Sequence, residues 1–337
     1  MRTIYLPRQL AFAWLVGCGF AWAAVDPQPF DPQQRAGLHA IEMDKPAQDF
    51  FEGAVLGNGG MGAIVRTRPD SVLVHLGHND VWDIRVAENH KDKLVKFEHL
   101  WTRLKRNTPE DRAWFADYCK MTRENYAQPY PRPWPCGSLL LGFDRRRAEL
   151  LGHRVRIDTG TCEMFFLIDG RRAALELFTD LHADRLWMRM IDADGRPIEA
   201  PFNRVRLIPE PGMATTTADA PAALSFRQVL PVLGDAREKD KALRVTFRTR
   251  GKVEPKLEQA GPFVACVEVV HGLARDVANG AVTAPVPTLQ TYADSAAASA
   301  AVWRDYWRRS GVRLEDEFLE RIWYRNLYFL NCSVRPG

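Results

Sequence analysis

Gly57 to Asp83 reads GNGGMGAIVRTRPDSVLVHLGHNDVWD, and the reading of its first six residues decides the fold. Gly57-Asn58-Gly59-Gly60-Met61-Gly62 matches the dinucleotide fingerprint G-x-G-x-x-G letter for letter. In a dinucleotide fold the last glycine opens a helix whose N-terminus meets the pyrophosphate. Here Gly62 opens the β-rich run AIVRT, Arg68-Pro69-Asp70 has turn chemistry, and SVLVHLG follows as a second β-rich run. The glycines therefore belong to strand, turn and strand. A kinase glycine loop also sits in a hairpin, but the H-R-D and D-F-G motifs that accompany it are absent. What is left is a tight corner at which glycine permits positive φ and close backbone approach. Two readings stay open: a purely structural corner, or one in which Asn58 and the bare backbone face a neighbouring pocket that a sugar or a loop enters.

One hairpin later stands His78-Asn79-Asp80-Val81-Trp82-Asp83. Amides and carboxylates beside an indole are what a sugar-binding surface uses, the ring for the apolar sugar face and the polar groups for hydroxyls. The same residues also suit an Asx-capped turn with a core tryptophan. Asn58, His78, Asn79, Asp80, Trp82 and Asp83 are the candidates for substrate binding or a domain interface. His75 and His78, three apart on a strand, point to opposite faces, so no shared metal ion is expected of them. Asp80, Asp83 and Glu88 are carboxylates of the type glycoside hydrolysis needs, yet their spacing separates no acid from a base. Neither G-x-S-x-G nor H-E-x-x-H occurs, and no catalytic residue, metal site or cofactor is assigned.

Outward from this segment the chain reads as mainly β. TCEMFFLI and RRAALELF flank Asp169-Gly170, a strong hairpin signal. ADRLWMRMID alternates Leu186, Met188 and Met190 against Trp187 and Arg189, and FNRVRLI, ALSFRQVL, ALRVTFRT and PFVACVEVV continue the pattern. Ten to twelve strands at short spacing predict a large antiparallel β-sandwich over about 24–290. A helical insertion over about 89–127 is announced by Thr108-Pro109-Glu110-Asp111, a capping hydroxyl followed by proline and acids. YPRPWP at 130–135 excludes helix. From 291 to 337 the chain turns helical. One helix is expected from Ser295 to about Gly311 with Trp303, Tyr306 and Trp307 on one face, and a second, apolar on most sides, carries Phe318, Leu319, Ile322, Trp323, Leu327, Phe329 and Leu330. Such a helix needs partners on several sides, and the expectation is that this chain supplies none and stops at the start of an all-helical domain.

Residues 1–23 combine Arg2 and Arg8 with an apolar run shorter than a membrane span and an Ala21-Trp22-Ala23 cleavage pattern, which predicts a signal peptide and export to the periplasm or exterior. Leu15-Val16-Gly17-Cys18 offers a lipid-anchor alternative; the apolar residues after Cys18 favour ordinary cleavage. No later stretch is apolar enough to span a membrane. Export permits disulfides, and one bridge is possible among the five later cysteines, Cys119, Cys136, Cys162, Cys266 and Cys332, but their odd number and lack of C-x-x-C spacing suggest neither a disulfide framework nor a zinc site. A net charge of +4 over 337 residues is no footprint for nucleic acid.

EGAVLGNGGMGAIV resembles the P-x-G-N-G-x-x-G-A-x-V opening of the N-terminal domain of glycoside hydrolase family 95, the family of α-L-fucosidases and some α-L-galactosidases. In that family an N-x-D-x-L-W segment follows, in the place of LGHNDVWD, with Trp82 matching. WRDYWRRSGVRL and EFLERIWYRNLYFLNCSVRPG are similar to its linker helices and first barrel helix. The resemblance implies a β-supersandwich, a helical linker over 291–337 and an (α/α)6 barrel that carries the catalytic groups and inverts the anomeric carbon. On that reading this chain is a non-catalytic N-terminal portion whose partners are carbohydrate and a barrel encoded beyond it. A stand-alone carbohydrate-binding sandwich, or a mutarotase-like sandwich with a His and a carboxylate on one concave face, is the alternative.

Overall fold

The computed structural model describes residues 30–85, 90–128, 130–231, 241–253, 256–279 and 285–334. The expected signal peptide, Cys18 and Glu88 lie outside the described residues. The chain is mainly β, as its pattern predicts. In order it forms α1 (Pro32–Gly37), β1 (Ile41–Met43), β2 (Ala54–Gly57), β3 (Met61–Arg68), β4 (Ser71–His78) and β5 (Trp82–Asp83). The insertion follows as α2 (Phe97–Arg106) and α3 (Pro109–Arg123), then β6 (Arg132–Pro133), β7 (Ser138–Phe143), β8 (Ala148–Arg156), β9 (Thr161–Ile168), β10 (Arg171–Thr179) and β11 (Arg185–Asp192). The remainder is β12 (Phe202–Ile208), β13 (Thr215–Ala220), β14 (Ala223–Val229), β15 (Lys241–Thr249), β16 (Val264–Leu273), α4 (Ala274–Asn279), α5 (Leu289–Arg308) and α6 (Glu317–Ser333).

The strands form a nine-stranded sheet, β1-β8-β9-β10-β11-β16-β15-β14-β13, a five-stranded sheet, β12-β7-β4-β3-β2, and the small pair β5-β6. Neighbouring strands within each sheet pair antiparallel. The period-2 pattern determines which side chains meet. Leu56, Ala63, Val65, Val74, Leu76 and Leu141 of the smaller sheet are buried in one core with Met164, Phe166, Leu175, Met188, Phe247 and Val267 of the larger. Two turns are as read: Pro69-Asp70 joins β3 to β4, and Asp169-Gly170, both with positive φ, closes β9-β10 as a two-residue hairpin. Thr108 caps α3 by accepting the Asp111 N–H, with Pro109 in the first turn.

α5 begins at Leu289, six residues before the expected start, because Thr288 forms a capping box with Thr291. It covers the outer face of the larger sheet, where Tyr292 is buried with Phe178, Trp187 and Cys266. Trp187, on the face opposite Leu186 and Met188, is therefore core as well. Trp303 packs against Gly160, whose positive φ and missing Cβ make room for the indole, and Trp307 donates to the Ile157 carbonyl at 3.2 Å.

The expectation that the last helix finds no partner in this chain is corrected on one of its faces. Glu320, Tyr324, Tyr328 and Cys332, spaced by four, form a buried stripe. The Tyr328 hydroxyl donates to Val55 O at 2.8 Å on edge strand β2, and Tyr324 Oη donates to Val312 O at 2.9 Å. Glu320 accepts from Arg35 Nε at 2.5 Å and Nη2 at 3.1 Å, pairs with His39 Nε2 at 2.8 Å, and accepts the Leu314 N–H at 2.7 Å. Other positions stay exposed: Phe318, Leu319, Ile322, Phe329 and Leu330 present an apolar outer face. The five cysteines from Cys119 to Cys332 are free thiols. Among the described residues no helix is long and apolar enough to cross a membrane.

Two stability predictions follow from this packing. A Cβ on Gly57 would run into the Cys332 carbonyl, whereas one on Gly77 meets open space. Gly57→Ala should lower the thermal midpoint while Gly77→Ala leaves it unchanged or slightly higher, as differential scanning calorimetry would show. Glu320 has its pKa held at about 2: burial alone would raise it, but hydrogen bonds from Arg35, the Leu314 N–H and His39 prevail. Glu320→Gln should cost about 3 kcal/mol at neutral pH, the cost of breaking a buried pair. Since the folded pKa lies below the unfolded one, that stabilisation is complete above about pH 5 and fades toward pH 2. The gap between wild type and variant in urea titrations should close over that window.

Candidate functional site

The corner after β2 is built around Asn58. Its side-chain oxygen accepts the N–H groups of Gly60 at 2.9 Å and Met61 at 2.7 Å, an Asx turn that folds the chain back into β3. Its amide nitrogen donates to Asp180 O at 2.9 Å and Ala183 O at 3.0 Å, tying the corner to the β10-β11 loop of the other sheet. Asn58 is thus committed inside the fold. Gly59, at φ 83°, turns its N–H onto the Cys332 carbonyl at 2.9 Å.

β4 ends beside this corner. Asn79 donates through its backbone to Gly60 O at 2.9 Å, and through its side chain to Gly59 O at 2.5 Å and Ser333 O at 3.2 Å. Asp83 is fully buried in a two-pronged pair with Arg85, at 3.0 and 2.8 Å. Its pKa is lowered, because the Arg85 bonds outweigh burial, which acts to raise it. A carboxylate held this way orders the β5 turn and is not placed to meet a ligand. Trp82 differs: its Nε1 donates to Asn79 O at 2.5 Å, which pins the ring, and the side of the residue left in solvent amounts to 43%.

His78, Asp80 and Trp82 gather where the sheets' ends meet. His78 is buried, and its ring lies 4.2 Å, centroid to centroid, from His271 on β16. Asp80 Oδ2 is 3.9 Å from His78 Nδ1 and 3.7 Å from His271 Nε2. On the far side Asp184 Oδ2 is 3.2 Å from His78 Nε2. The Asp80 backbone N–H donates to His78 Nδ1 at 3.1 Å, so the neutral ring carries its proton on Nε2, facing Asp184. His271 has a lowered pKa, first from burial and then from His78, with Asp80 and Asp184 opposing. A neutral imidazole at this place can accept a proton or ligate a metal. Asp80, Trp82, Lys241 and His271 line an open cleft of about 480 Å³.

Asn79 also lines a second concavity, about 520 Å³, on the outer face of the smaller sheet. The cross-strand pair Gly62 and Gly77 forms part of its floor. His75 lies here, away from His78. It accepts from Arg66 Nε at 2.9 Å and pairs with Ser138 Oγ at 3.0 Å. Its pKa is lowered by burial and by Arg66 and Arg68.

The structure therefore brings His78, Asp80 and Trp82 together, sets Asn79 between the two concavities, and uses Asn58 and Asp83 internally. His271 and Asp184 escaped the sequence reading. Neither stands in a motif, and only the pairing of β16 beside β11 carries them to the end of β4.

No known family profile matches the chain, and no curated protein matches it. Among solved structures, a chain assigned as a kojibiose phosphorylase from the human microbiome is similar over 90% of this chain, at 9% identity and a TM-score of 0.33. The match covers 34% of that chain, so this sequence spans about a third of its length. A likeness this weak carries no argument about function.

Asn58→Ala removes one Asx turn and one inter-sheet clamp. The loss should be about 2–4 kcal/mol, from several hydrogen bonds at roughly 1 kcal/mol each with buried groups left unpaired. Chemical denaturation measures it.

Proposed function

We propose that this chain is the β-supersandwich portion, residues 24–290 with linker helices over 291–337, of an exported carbohydrate-active enzyme of the glycoside hydrolase family 95 kind. In this reading the catalytic groups stand on an (α/α)6 barrel encoded beyond Gly337, and the sandwich lends rim residues to its sugar pocket. The observation that carries it is the Trp82 cleft. A pinned, half-open indole beside the exposed Asp80 carboxylate and His271 offers an apolar platform with polar groups at its edge, the composition a sugar requires. The resemblance at GNGGMGAIV and WRDYWRRSGVRL, and the apolar outer face of α6, support the same reading. Export is supported by the pattern of residues 1–23.

The test extends the reading frame past Gly337. The longer protein should hydrolyse α-L-fucosyl or related glycosides with inversion, the chain to Gly337 should hydrolyse none, and Trp82→Ala in the longer protein should lower kcat/KM at least tenfold. A frame that encodes no helical repeats after Gly337 overturns the proposal. One observation favours a second reading, a mutarotase-like sandwich: His271 and Asp80 share a single cleft. Polarimetry of free sugars with this chain, accelerated by wild type and not by His271→Asn, would select it.

A further inference from the structure

The cluster at the end of β4 has a feature that sugar binding does not require. His78, Asp80 and His271 each place one ligand atom within 4.8 Å of the other two. We infer that these three residues form a site for a divalent first-row transition ion such as Zn²⁺, with its remaining coordination position open to the Trp82 cleft. This inference does not rest on the glycoside hydrolase reading.

Two imidazoles and a carboxylate are the donor set of three-ligand metal sites that keep a position for water or substrate. Metal bonds of about 2.0–2.1 Å put tetrahedral ligands roughly 3.4 Å apart. The two rings, 4.2 Å apart between centroids, must open to roughly 5 Å to share a tetrahedral ion, while Asp80 Oδ2, 3.9 Å from His78 Nδ1 and 3.7 Å from His271 Nε2, needs shifts of a few tenths of an ångström. Asp80 is able to supply them, because its side chain is 66% exposed at a turn. The ion would displace the Asp80 N–H from His78 Nδ1, at a cost of about one hydrogen bond.

His78 has the support that metal-bound histidines have. Its second nitrogen, Nε2, faces Asp184 Oδ2 at 3.2 Å, as in a carboxylate–histidine–metal relay. That nitrogen is buried, and the contact is out of line for a hydrogen bond, so it has no aligned partner among the described residues. An ion that draws the ring at Nδ1 would have to turn Nε2–H toward the carboxylate within a buried pocket, and the Asp184 variant reads that coupling. Two carboxylates, Asp80 and Asp184, flank the His78 and His271 rings against Lys241, the single cation among the described residues that line the same cleft, a local excess of negative charge that favours a bound cation.

The protein, stripped with EDTA and dialysed, is titrated with Zn²⁺ against a chromophoric chelator and separately with Co²⁺. The expected result is one equivalent bound, with a visible Co²⁺ absorption typical of nitrogen and oxygen ligands. His271→Gln and Asp80→Asn should each weaken binding at least tenfold, and Asp184→Asn about tenfold through the relay. Circular dichroism and the thermal midpoint of the metal-free variants should match wild type, which separates lost ligation from lost folding. Absence of saturable binding, or one equivalent that persists at equal affinity in both His271→Gln and Asp80→Asn, overturns the site.

Discussion

A helix ends with carbonyls that have no partner inside it, and in this protein the end of α6 is completed by another part of the chain. Gly59 N–H and the Asn79 amide donate to the carbonyls of Cys332 and Ser333. Gly57 has no side chain where the Cys332 carbonyl arrives. The glycine motif that matches a cradle for phosphate oxygens instead receives one peptide oxygen, that of Cys332, at the negative end of a helix. Much of the remaining arrangement depends on this seat, because it fixes α6 along β2, the edge strand of the smaller sheet.

From that seat the two sheets and the two long helices form one packed unit. Asn58 holds the corner to the β10-β11 loop, so the same residue that shapes the turn ties the smaller sheet to the larger. α5 covers the far face of the larger sheet, and Trp303 stacks on Tyr328 of α6 at 5.4 Å. Arg35 and His39, near the start of the described chain, reach Glu320, and Arg325 donates to the carbonyls of His39 and Ala40. The outer face of α6 stays apolar and exposed while its inner face carries these bonds.

The chemistry collects where strand ends converge. β4 stops at His78 and β16 passes through His271, so two histidines meet beside two carboxylates at the mouth of a cleft. Trp82, pinned by its indole N–H, borders the same cleft. Asp83, one residue further, turns inward to Arg85, because side chains alternate along even a two-residue strand.

Periodicity and turn chemistry by themselves determined the mainly β architecture, the β3-β4 and β9-β10 hairpins, the α3 cap and the strand context that rules out a dinucleotide turn. These are local: each depends on residues within a few positions, whose backbone preferences and alternation are written in the chain. Local pattern also marked HNDVWD as polar groups around an indole. Only the tertiary structure decided that Asn58 and Asp83 are spent on internal bonds, that α6 has a buried stripe against β2, and that His78 meets His271 and Asp184. Those outcomes depend on which strands lie side by side across the sandwich. Sheet order is set by burying the whole core at once, and no short stretch of sequence records it.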